Sequence, residues 1–188
     1  MSKKVFIFFP DGVGLRNFAF TNFKSIGEEM GFDITYWNNT IFDLEKELGF
    51  KQVIIENHQI HPLTPIYSRA RKRAELNVSR DKFNDEVYPT YKFPFSYKGL
   101  KNTFKSLYTK LLVGLYSSEK GVETLREKIN ALERKNPKYA YCKAQLEQHR
   151  PDLVFCTTQR ATQSISALLA STSSLMIFLS FTSVIFIF

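Results

Sequence analysis

The residues best suited to chemistry stand near the start of the chain, in Pro10-Asp11-Gly12-Val13-Gly14-Leu15-Arg16-Asn17. They follow an apolar run, Val5 to Phe9, and precede apolar residues at helical spacing, so the sequence predicts a strand-to-helix turn. At such a turn, free backbone N–H groups and the helix dipole suit an anion, and glycines let the main chain approach a ligand. A dinucleotide fingerprint would place a third glycine at position 17, where Asn17 stands. It would also end the second strand in an acid, and the chain has Asn38-Asn39 there. The pattern serves NAD poorly and implies no cofactor. A tight turn with glycines at positive φ accounts for the spacing as well as a substrate role does, although Asp11, Arg16 and Asn17 make it unusually polar.

Other candidates are weaker. His58 and His61 stand three apart before Pro62 with no cysteine or carboxylate pair to complete a metal site. Cys142 and Cys156 form no CxxC pair, which argues against a zinc knuckle or a disulfide framework and fits a reducing compartment. Ser68-Arg69-Ala70-Arg71-Lys72-Arg73 is a cationic block, and from Tyr88 to Tyr108 aromatics interleave with Lys92, Lys98, Lys101 and Lys105. That mixture suits phosphates, single-stranded nucleic acid or an anionic bilayer, and equally suits solvated helix faces over buried aromatics. With no recognition module present, nucleic acid is the least favoured partner. Net charge agrees in sign: 26 Lys and Arg against 18 Asp and Glu give +8.

These residues need a scaffold. The chain has 188 residues, 44% hydrophobic and 15% aromatic, enough for one domain with a substantial core and too few for two full-sized lobes. Residues 4–9, 33–37, 52–55 and 152–156 are expected to be parallel strands. A helix of about four turns should run from the first turn to Gly31, and a short one, capped by Thr40, to Leu48. The alternation implies an α/β fold, a Rossmann-like doubly wound parallel sheet. It is interrupted at about 62–148 by a helical and irregular insertion. Helices are expected through Arg69 and Lys72, near Leu100 to Tyr116, from Glu119 to Arg134, and from about Tyr139 to Gln148. The prolines of Tyr88–Phe95 should exclude regular structure.

Phe8-Phe9-Pro10-Asp11-Gly12-Val13-Gly14-Leu15-Arg16-Asn17, taken with His149-Arg150-Pro151-Asp152-Leu153-Val154-Phe155-Cys156-Thr157-Thr158-Gln159-Arg160, resembles the N-terminal lobe of bacterial GT-B type glycosyltransferases over residues 1–170. The resemblance implies a lobe that shapes the acceptor side of a cleft while a C-terminal lobe, missing here, binds the nucleotide sugar. Alone, the chain should be inactive. It also implies that Asp11 is a general base on an acceptor hydroxyl, with Gly12, Gly14, Arg16, Asn17 and Arg160 lining the acceptor site. The acceptor would be a glycan or glycolipid in surface polysaccharide synthesis, which places the chain in the cytoplasm or at the inner membrane.

The end of the chain is different in kind. From Ala161 to Phe188 there is no charged residue, and residues 171–188 are Ser, Thr and apolar side chains only. That stretch does not read as the helix and strand of an α/β lobe. Two accounts remain, a frameshift product or a membrane anchor. The alternative function is accordingly a non-enzymatic protein, tail-anchored or bound to a membrane surface through the basic stretch 69–110.

Overall fold

The computed structural model describes residues 2–55, 59–157, 164–173 and 177–180, with backbone alone for 173 and 177–180. Its core is a five-stranded sheet in the order β3-β2-β1-β4-β5, every neighbouring pair parallel. The strands are β1 (Lys3–Phe9), β2 (Phe32–Asn38), β3 (Gln52–Ile54), β4 (Leu153–Cys156) and β5 (Ile177–Ser180). β1 is central, so both of its faces must be covered, which explains its unbroken apolar run. Val5, Ile7 and Phe9 point to one core with Ile34, Tyr36, Leu15 and Leu44. Phe6 and Phe8 point to the other with Trp37, Leu146, Cys156 and Ala170. The first core is closed by α1 (Gly12–Phe18) and α3 (Leu44–Leu48), the second by α8 (Pro137–His149) and α9 (Ile165–Ser173). This is the doubly wound, Rossmann-like arrangement expected from the alternation.

Several local expectations are corrected. The four-turn helix is two helices, α1 and α2 (Phe23–Glu29). Thr21 accounts for the break: its hydroxyl donates to the Asn17 carbonyl at 3.2 Å and accepts from Phe23 N–H at 3.4 Å, a local alternative to helical bonding. α3 is capped by Asp43, whose Oδ1 accepts from Glu45 and Lys46 N–H at 3.1 Å, while the Thr40 N–H and hydroxyl both donate to Asn38 Oδ1. α8 begins at Pro137, two residues before the expected start near Tyr139, with Asn136 as N-cap and Pro137 in the first turn. Within 171–188, expected to fall outside an α/β lobe, residues 171–173 finish α9 and Ile177–Ser180 form β5, which continues the sheet in parallel register, Leu153 to Ile177 through Cys156 to Ser180. Residues 181–188 lie outside the described residues. Among the described residues no helix is long and apolar enough to cross a membrane.

Residues His61–Lys135 form a second compact unit, entered after β3 and left before α8. It contains α4 (Thr64–Phe83), α5 (Val87–Thr90), α6 (Leu100–Tyr116) and α7 (Glu119–Arg134) around Ile66, Ala70, Ala74, Leu112, Val122 and Leu125. α5 is a correction, since Pro89 sits in it; a single first turn lacks the internal hydrogen bond that proline would remove. The buried Glu133 carboxylate accepts from His61 N–H and the Thr64 hydroxyl, tying α7 to the start of α4. Arg69 and Arg73 donate to the Pro94 and Phe93 carbonyls and lie over the Phe95 ring, 5.0 and 4.0 Å from its centroid.

Candidate functional site

In a parallel sheet all carboxyl ends lie on one edge, and ligands gather where the strand order reverses. Here that point lies between β1, which leads outward to β2 and β3, and β4, which leads to β5. The Pro10–Asn17 turn leaves β1 there, and Thr157 ends β4 beside it. Thr157 N–H and hydroxyl both donate to the Phe8 carbonyl, at 3.3 and 3.1 Å. At the opposite end of this strand pair, Asp152 Oδ2 accepts from Lys4 N–H at 2.8 Å. The two segments that carry the sequence resemblance are therefore adjacent.

The turn's glycines are not explained by positive φ, which neither Gly12 nor Gly14 adopts. Gly14 is required by close approach: a Cβ there would come within 2.1 Å of Thr157 Oγ1. Gly12 is exposed, with nothing within 4 Å of where its Cβ would be. A side chain there would meet no obstacle, so neither packing nor backbone conformation calls for glycine.

Asp11 is the N-cap of α1. Its Oδ1 accepts from Val13 N–H at 3.1 Å and Gly14 N–H at 3.3 Å. The chain's own carboxylate thus occupies the donors that the sequence offered to an external anion. Its Oδ2 makes no hydrogen bond among the described residues. Arg16 and Asn17 lie further along α1 with exposed side chains, about 1.5 Å of rise per residue away from the cap. The structure does not bond either side chain to Asp11. Arg160 and His58 lie outside the described residues. No cluster of three or more His, Cys, Asp or Glu could hold a metal among those described.

Sequence reasoning missed the polar wall beside this turn. Asn39, after β2, donates through Nδ2 to the Pro10 carbonyl at 3.2 Å and accepts at Oδ1 from Lys138 Nζ at 3.1 Å. Lys138 is 1% exposed and sits in the first turn of α8, where the helix dipole opposes a cation. Asn136 holds that turn, its Oδ1 accepting from Lys138 N–H and its Nδ2 donating to the Gln59 carbonyl. A clue was present in the sequence: Lys138 directly precedes the uncharged run Tyr139-Ala140-Tyr141-Cys142. Asn38 is buried and spent on Phe42, Gln52 and Thr40, so it is not free to hold a ribose. One turn of α8 further on, burial pushes the Cys142 thiol up to about 12 despite Lys138 nearby, leaving it a core group and no nucleophile.

No protein-family model matches the chain, and searches of curated proteins and of solved structures return no match.

Proposed function

We propose that the sheet unit is the acceptor-side lobe of a GT-B type glycosyltransferase, moving a sugar from a nucleotide donor to a glycan or lipid-linked acceptor in surface polysaccharide assembly. The observation that supports this reading is the meeting of the Pro10–Asn17 turn with the end of β4 at the switch point, where Gly14 touches Thr157. Asp11 Oδ2 is the base for the acceptor hydroxyl, while Oδ1 keeps the carboxylate fixed on the α1 N-terminus. Gly12 leaves the backbone open to the acceptor. The described residues hold one sheet, so turnover requires a donor-binding lobe from another segment or chain.

Nucleotide release tests this reading. Offered a panel of nucleotide sugars and lipid-linked acceptors, the chain alone releases nothing; supplied with a donor-binding lobe, it does. Asp11→Asn then slows transfer by about 10²–10⁴-fold without loosening α1, because asparagine caps helices as well as aspartate. Absence of release across the panel contradicts the enzyme class. Unaided turnover contradicts the need for a second lobe.

A further inference from the structure

α6 is amphipathic in the opposite sense from a core helix. Its buried positions include Ser106 and Thr109, whose hydroxyls are spent on the Ser96 and Lys105 carbonyls. Its large apolar residues Leu100, Phe104, Leu107, Leu111 and Leu115 are 54% to 91% exposed. They recur at steps of four and three, so they form one continuous stripe. Lys101 and Lys105 stand on one flank of it and Lys110 on the other, and no Asp or Glu occurs from Tyr88 to Ser118.

Part of the remaining cationic surface of this unit is engaged. Arg69 and Arg73 fasten the Phe93–Phe95 segment, Arg71 faces Glu75, and Lys82 pairs with Glu119. Lys101 and Lys105 have no ion-pair partner among the described residues. Lys110, on the other flank, lies over the Phe95 and Tyr97 rings, 5.3 Å from each centroid. An apolar stripe edged by two unpaired cations matches a surface that is apolar within and anionic at its rim.

We propose that α6 lies in the surface of an anionic bilayer, its four outward leucines and Phe104 in the headgroup–acyl boundary and Lys101 and Lys105 on lipid phosphates. A second copy of this chain is a poorer occupant. It would set two basic flanks against each other in a chain of net charge +8. The inference rests on α6 alone and stands or falls independently of the glycosyltransferase reading.

Co-sedimentation of the full chain with vesicles provides the test, comparing phosphatidylcholine alone with phosphatidylcholine rich in phosphatidylglycerol. The wild type should bind the anionic vesicles, and more weakly as salt rises. The Leu107→Glu, Leu111→Glu pair and, separately, the Lys101→Glu, Lys105→Glu pair should each lower partitioning on the order of tenfold or more. All four positions are exposed, and circular dichroism confirms that each variant is folded. The apolar C-terminal residues are present throughout, so binding that both variants retain in full would assign it elsewhere and overturn the proposal. No binding by the wild type would overturn it too. Self-association abolished by Leu107→Glu, Leu111→Glu without any lipid binding would give the stripe to a second copy instead.

Discussion

α6 and α7 are consecutive helices in one unit, of 17 and 16 residues, and they handle apolar side chains in opposite ways. α7 buries Val122, Leu125 and Ile129, holds Glu133 inside on its hydrogen bonds to His61 and Thr64, and turns its other charges to water. α6 buries Leu112 along with Ser106 and Thr109 and turns its other four leucines and Phe104 out. A stripe at helical spacing is thus evidence of a helix, and its direction is a separate question that packing answers. Small hydroxyl residues can line the inner face because each bonds a nearby carbonyl. What remains outside is then available to something other than the core.

The largest consequence concerns stability. Leu125→Ala should cost about 2–5 kcal/mol, because it leaves a cavity where a fully buried side chain stood. Leu107→Ala should change stability by no more than about 0.5 kcal/mol. Urea unfolding midpoints measure both, and equal losses would mean that the α6 stripe is covered in solution.

The glycines of the two helices sharpen the same contrast. A Cβ at Gly121 would meet the Tyr116 carbonyl oxygen at 2.5 Å, in the tight link from α6 to α7. Gly121→Ala should therefore cost about 1–3 kcal/mol. Gly114, inside α6, has nothing within 4 Å of its Cβ position, and Gly114→Ala should stabilise by up to about 1 kcal/mol through helix propensity. Thermal unfolding of the two variants should shift in opposite directions.

Much of the scaffold was legible because short apolar runs and helical stripes alternate. Four strands and the positions of α6, α7 and α8 follow from that pattern. β5 was not legible: the last stretch lacks the polar punctuation that marks where a helix stops and a strand starts. The Pro10–Asn17 turn could be placed at the sheet's carboxyl edge from the alternation alone. Asp11 as a cap, the contact of Gly14 with Thr157, and the Asn39–Lys138 bond could not be read, since two of these join residues more than a hundred positions apart or nearly so. The inward face of α6 was hidden for a different reason. Ser106 and Thr109 look like solvent residues until their carbonyl partners are known.

A smaller effect concerns acid. Glu119, in the first turn of α7, is held below the ordinary glutamate range by its hydrogen bond to Lys82 and by the ammonium charge. Its depressed value means that its stabilising contribution is present above the ordinary range and is lost as pH falls through the folded-state value. The first turn of α6 has no acid. Acid titration of stability should accordingly show a slight decline that Glu119→Gln removes, and the exposed setting of the pair keeps it slight.

Hydrogen exchange with and without phosphatidylglycerol-rich vesicles tests most directly the claim that α6 presents an outward working face while α7 faces inward. On vesicles, amides of residues 100–116 should gain protection, and those of residues 119–134 should exchange as they do in solution. Unchanged exchange in α6, or protection gained by α7 alone, would contradict the account.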